Sequence, residues 1–196
     1  RILSPEDYFR LISQHFDDIY YSKPVFDAKS KTTNVYLVKA YDNWTDPNAF
    51  LPMISTCQED HITTLLQART SVFTNINVAN FEFQYVRVVA NISISDDFEP
   101  LSMQKSISQA LDIFLSPWIS SDSLQVIIDQ EVSDTPVADL IRNIPGVMDV
   151  GNIYFQTWMA GTPPDTSTNK KTIAPLAASA LMVSSMDHQI TCSIIV

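Results

Sequence analysis

Glycine is scarce here: three residues in 196, Gly146, Gly151 and Gly161. A loop that cradles phosphate with backbone N–H groups needs several glycines within one turn. No such loop can be built from these three, and nucleotide chemistry loses its usual support. Cysteine is scarcer still, with Cys57 and Cys192 far apart in the chain. Two distant thiols make no disulfide framework, and both are read as buried thiols. Positive charge is also short, 12 Lys and Arg against 22 Asp and Glu, for a formal net charge of −10. Such a surface repels phosphate backbones and anionic headgroups, so neither nucleic acid nor membrane is expected as a partner. No apolar run approaches the roughly 20 residues that span a bilayer. The chain opens at Arg1 rather than Met, so a fragment or processed product of a longer protein is expected.

What is present is a core. Apolar residues make up 45% of the chain, enough for one large domain or two small ones. The opening RILSPEDYFRLISQHFDDIYY predicts a helix with Ser4 as N-cap and Pro5 at its first position. Its apolar face runs Tyr8, Leu11, Ile12, His15, Phe16 and Ile19. VFDAKS and NVYLVKAYD predict two strands joined by a turn, and Asp46-Pro47 marks the loop after them. A second helix starts at Thr56, with Glu59 three residues on as a capping partner.

FEFQYVRVVANISIS then alternates over the longest strand candidate in the chain. Phe81, Phe83, Tyr85, Arg87 and Val89 fall on one face; Val86, Val88, Ala90, Ile92 and Ile94 fall on the other. Pro100 opens a third helix, inward through Met103, Ile107, Ala110, Leu111 and Phe114, and Ser116-Pro117-Trp118 stops it. LQVIID predicts a short strand. Asp134 or Thr135 caps a fourth helix, which Pro145-Gly146 ends before the strand VMDVGNIYFQTW. A polar loop, AGTPPDTSTNKKT, leads to ALMVSS and HQITCSIIV, read as a terminal hairpin.

This order predicts an α+β protein: two small two-layer α/β-sandwich domains in series with a C-terminal β-hairpin. The expected divisions are 1–77, 78–160, and 161–196 for the loop and hairpin.

Candidate chemistry is thin. Cys57 and His61 could share a helix face, but a metal needs more ligands and none stands nearby in sequence, so no metal or cofactor is expected. Ser184, Ser185, Asp187 and His188 crowd together in SSMDHQ. Catalytic triads assemble residues distant in sequence, and no Gly-x-Ser-x-Gly elbow is present, so this reads as a turn. Asp17-Asp18 and Asp96-Asp97 stand at element ends, where Asp favours turns. The sequons at Asn43 and Asn91 are read as chance matches. His15, His61 and His188 are scattered. The chain is therefore expected to have no enzymatic activity. Weak candidates for contact with another chain are Phe81, Phe83 and Tyr85 on the long strand, and Trp118 after its Pro stop.

The segment DTPVADLIRNIPGVMDVGNIYF has the form helix, Ile-Pro-Gly-Val, strand. Upstream stand RILSPEDYFRLISQHFDDIYYSKPVF, the long strand, and QALDIFLSPW. In this order and spacing, over most of Arg1–Trp158, the sequence resembles the baseplate J-like wedge proteins of contractile tails and contractile injection systems. The ALMVSSMDHQI tail is similar to the ends of such proteins. One departure is SSDSLQVIID, where the family often carries a Gly-rich segment.

The resemblance implies a structural wedge subunit in a symmetric ring. Its partners would be other wedge, hub and sheath proteins of a phage tail or tail-like particle assembled in the bacterial cytoplasm. Pro145 and Gly146 would then set the angle between helix and strand. A surface or adhesion module, and an enzyme of unrecognised type, remain the rival readings.

Overall fold

The computed structural model describes residues 4–46, 48–71, 73–119 and 127–195. The chain divides into two compact units, Arg1–Phe81 and Glu82–Val196.

In the first unit, α1 (Pro5–Ser13) starts where its cap says it should. Ser4 Oγ accepts the Asp7 N–H, and the Asp7 carboxylate accepts the Ser4 N–H in return. The helix stops at Ser13, short of the expected apolar run. Asp17 and Asp18 are turn, and Ile19 already belongs to β1 (Ile19–Asp27). β1 pairs antiparallel with β2 (Thr32–Lys39). Their turn is tied by the Asp27 carboxylate, which accepts from Lys29 N–H at 2.9 Å and Ser30 Oγ–H at 2.7 Å.

α2 (Thr56–Arg69) then crosses to β3 (Asn75–Asn80), which runs parallel to β2. The cap of α2 is Ser55 rather than Thr56. Glu59 is drawn instead to Asn80 Nδ2, 2.8 Å away. Asn80 also exchanges hydrogen bonds with Ile54 at 2.8 and 3.1 Å, pinning the entry of α2 to the end of β3. Ile12, Val35, Leu37, Ile62 and Leu66 are fully buried between these helices and the sheet.

The second unit is built on β4 (Glu82–Ser95). On one side β4 pairs antiparallel with β6 (Val147–Met159). On the other, β8 (Ala180–Ser184) runs parallel to Glu82–Val86, and β9 (Gln189–Ile195) runs parallel to Val89–Ser95. The two terminal strands and the turn between them are present, and both lie along β4 rather than strand to strand. α3 (Pro100–Phe114) and α4 (Asp134–Arg142) share one core with this sheet. The alternation of β4 decides the face. Val86, Val88, Ala90, Ile92 and Ile94 are all within 1% exposure and meet Met103, Ile107, Leu111, Val137 and Ile141.

Two-residue strands β5 (Val132–Ser133) and β7 (Thr172–Ile173) pair antiparallel beside it. The polar loop after β6 is held by Gln156, whose Nε2 donates to Thr166 O and to Asn169 Oδ1. Within LQVIID, Leu124–Val126 lie outside the described residues, and Ile128 and Asp129 are turn. Residues 161–196 thus supply three strands to the second unit.

Candidate functional site

The first place to look for chemistry is the break between β8 and β9. β8 leaves β4 at Val86 and β9 joins it at Val89, so the edge of β4 has a gap at Arg87 and Val88. A buried strand cannot leave its N–H groups unpaired without cost. The Val88 N–H donates to Nδ1 of His188 at 3.0 Å, a side chain standing in for the missing ladder partner. The Ser185 N–H donates to Val86 O across the same gap.

The His188 side chain is completely buried, and its Nε2 lies 3.2 Å from Ser184 Oγ and 3.3 Å from Asp112 Oδ1 on α3. The Ser184 hydroxyl donates to Asp112 and accepts the Met186 N–H at 3.0 Å. Met186 sits at φ 58, a left-handed backbone that the tight turn demands.

A serine, a histidine and an aspartate in mutual contact invite comparison with a nucleophile triad. The proton positions run the wrong way. Because Nδ1 accepts a backbone N–H, the neutral ring carries its proton on Nε2. That nitrogen is a donor to Ser184 and Asp112 and cannot take the serine proton. The serine proton is held by the carboxylate, and Ser184 is 2% exposed. The arrangement closes a sheet edge; it does not prime a hydroxyl for attack. Sequence proximity suggested Ser184 and His188, but Asp112 lies on another element and had no local signal.

Outward from the same turn, Asp187 pairs with both Arg87 Nε and Arg87 Nη2. The Arg87 guanidinium also lies 5.1 Å from the centre of the Trp158 ring, which packs tilted against Tyr85 at 5.8 Å. Burial alone would raise the Asp187 carboxyl. Hydrogen bonds from Arg87 and Ser185 and the guanidinium charge outweigh it, and the carboxyl is held below its ordinary range. A folded value below the unfolded one means the pair stabilises above the unfolded carboxylate range and is lost as pH falls through the folded value. The stability gap between the native chain and Asp187→Asn, read by urea titration, should therefore stay constant from neutral pH to about 5 and shrink below about 4. A gap that persists undiminished at strongly acid pH would count against this pair.

Two of the open depressions among the described residues carry charged side chains in number. In the first unit, Asp17, Asp18, Lys39, Tyr41, Asp42 and Asp46 line one of about 430 Å³. Asp18 there is engaged by Gln58 Nε2 at 2.8 Å and by Lys39 Nζ at 3.8 Å. Burial, then the charges of Asp46 and Asp18, push the Tyr41 phenol up. Among the described residues no three His, Cys, Asp or Glu side chains converge as metal ligands. Cys57 is exposed beside an exposed His61. Cys192 is half-buried, and burial pushes its thiol up.

In the second unit, a groove of about 480 Å³ lies between the start of α3 and the Ile144-Pro145 turn. Gly146 closes that turn at φ +94, with the Phe98 ring directly against it. Its carbonyl accepts the Ser95 N–H at 3.0 Å, so the turn is tied to the end of β4.

The aromatic residues expected to meet another chain pack within their own units. Phe81 is 5% exposed in the first unit, packed on Tyr36 at 5.3 Å and Tyr21 at 6.4 Å. Phe83 and Trp118 are 9% and 2% exposed, and Tyr85 is half-buried against Trp158. These side chains serve their own domains in the free chain. Larger exposed apolar side chains are Phe73, Leu101 and Met148, which no periodicity singled out.

No family model matches the sequence, and no curated protein does. Among solved structures, a chain of the anti-feeding prophage baseplate, determined by cryo-electron microscopy with sixfold symmetrisation, has a similar fold. The TM-score is 0.69 at 13% sequence identity, over 94% of this chain and 38% of that one. The chain thus spans well under half the length of the protein it resembles in fold.

Proposed function

We propose that this chain is part of a wedge-type structural subunit in the baseplate of a contractile tail or injection machine, working by protein–protein contact. The observation that carries this reading is the shared fold with a baseplate chain over nearly the whole length, at TM-score 0.69. The order of capped helix, long strand, helix and Ile-Pro-Gly-Val turn supports it independently, since that resemblance was drawn from sequence alone.

The chemistry found in the second unit fits the same reading. Its buried histidine closes a sheet edge, and its conspicuous glycine sets a helix–strand angle. Both are devices of shape. A ring closes only if each subunit repeats its angles, because a heterologous contact that misses closure continues as an open helix. The partners on this reading are neighbouring wedge, hub and sheath proteins.

The test is purification of the tagged full-length parent from its native host, with negative-stain electron microscopy of the eluate. Sheathed or tailed particles carrying the parent, with sheath and hub proteins in stoichiometric amount, are expected. A parent that purifies alone while particles form without it would sink the reading.

A further inference from the structure

We infer that the groove beside the Ile-Pro-Gly turn is a docking site for a lysine- or arginine-bearing segment of a neighbouring protein. This inference rests on the baseplate reading for the identity of the assembly, and on the groove itself for its chemistry. The groove's apolar surface comes from Phe98, Met103, Ile144 and Pro145. Asp97 and Glu99 flank it, and Ser102 and Ser106 add hydroxyls along α3. Among these described lining residues none is basic. Asp96 adds a further exposed carboxylate next to Asp97 in sequence.

The electrostatic sign survives a count of opposing terms. The N-terminus of α3 contributes about half a positive charge at its first turn. One Glu99 oxygen already caps that turn by accepting the Ser102 N–H at 2.8 Å. Of the cations nearby in sequence, Arg142 is paired with Asp139, and Asp96, Asp97 and Glu99 outnumber the remaining Lys105, leaving the rim negative. An anionic ligand is repelled, and a purely apolar one would desolvate carboxylates without compensation. A long cationic side chain satisfies both demands. Its methylene stem lies on Phe98, Met103 and Pro145 while its charged head stays at the rim. Phe98 is 39% exposed and offers an aromatic surface to a cation. The same two segments carry Leu101 at 72% and Met148 at 68% exposure, apolar surface that a longer segment would cover.

The test uses the whole 196-residue chain, ¹⁵N-labelled, titrated with the peptide acetyl-Arg-Leu-Arg-amide and with its citrulline counterpart. Amide shifts should be confined to the surroundings of Asp97–Ser106 and Ile144–Gly146. The arginine peptide should bind about tenfold more tightly than the neutral isostere, and less tightly as salt rises. Asp97→Lys combined with Ser106→Trp should abolish the shifts, and Asp165→Lys, in the loop tied to Gln156 at the other end of β4, should not. Equal binding of the citrulline peptide, or shifts spread over other surfaces, would overturn the inference. A dimer of the chain that the groove variant dissolves would overturn it too, in favour of a second copy as occupant.

In the full-length parent, the groove variant should cut the yield of assembled particles while the chain stays folded by circular dichroism. Normal particles containing the variant would overturn the groove and leave the baseplate reading intact. If the unsubstituted parent is missing from particles, the baseplate reading fails, and the peptide titration alone decides the groove.

Discussion

Replacing His188 with alanine is expected to cost about 3–4 kcal/mol of stability in the second unit, and replacing it with asparagine roughly half as much. The difference comes from one atom. His188 Nδ1 accepts the Val88 N–H at 3.0 Å where the edge of β4 has no strand beside it. Alanine removes that acceptor and leaves a fully buried backbone donor unpaired, at about 1–3 kcal/mol. It also leaves a hole where a completely buried ring stood, and deprives Asp112 of one donor. Asparagine places its Oδ1 near the position of Nδ1 and can accept the same N–H. It loses only the Nε2 side, where Ser184 still donates to Asp112. Glutamine, with its polar atoms further out, should behave more like alanine. Urea unfolding of the variants, with hydrogen exchange at Val88, checks both parts. If alanine costs under about 1 kcal/mol, or asparagine rescues nothing, the edge-closing role is wrong.

This arrangement also shows what sequence alone could and could not tell. The long strand was legible because its apolar residues alternate from Phe81 to Ile94, and the row Val86, Val88, Ala90, Ile92, Ile94 is buried throughout. Pro5, Pro100 and Pro136 each marked a helix start, since proline at the first turn costs no hydrogen bond. The α+β class followed from those signals.

What sequence missed was pairing at a distance. NINVAN straddles the expected division at 77/78, yet it is β3, held parallel to β2 by a crossover through α2. Its two buried residues, Ile76 and Val78, are too few for a pattern. The terminal strands read as a hairpin because they are adjacent and joined by a tight turn. Both strands and their turn are where the sequence places them; that each also runs parallel along β4 is a long-range pairing no local residue announces. The aromatic residues of β4 looked like contact candidates because an edge strand exposes them. β4 is a central strand, flanked on both sides. The groove was invisible because Phe98 and Ile144 lie far apart in sequence and line one depression only in the fold.

Gly146 is the second position where a single atom should matter. Alanine there is expected to cost about 2–3 kcal/mol, by two mechanisms that can be separated. The first is backbone: φ is +94, and a residue with a Cβ held there costs about 1–2 kcal/mol. The second is contact: a Cβ would stand 2.6 Å from the Phe98 ring, closer than any real pair of carbons. Phe98 is 39% exposed, so its ring can swing outward, and the contact should cost less than the backbone. In a Phe98→Ala background the contact disappears, and Gly146→Ala should then cost only about 1–2 kcal/mol. Gly161 supplies the control. Its φ is +81 and nothing lies within 4 Å of its would-be Cβ, so Gly161→Ala carries the backbone cost alone. Gly146→Val adds β-branching and should be worse than alanine at the same site. If Gly146→Ala and Gly161→Ala cost the same in the native background, the Phe98 contact contributes nothing. If both are neutral, the left-handed turn is not what joins α4 to β6. The functional consequence follows from geometry. The Gly146 carbonyl holds the Ser95 N–H and its neighbour Ile144 holds the Val147 N–H. A turn that relaxes there shifts the entry of β6 and the wall of the groove together. On the proposed baseplate reading, variants at Gly146 should lose particle assembly at temperatures where the domain is still folded, which a purely internal role would not produce.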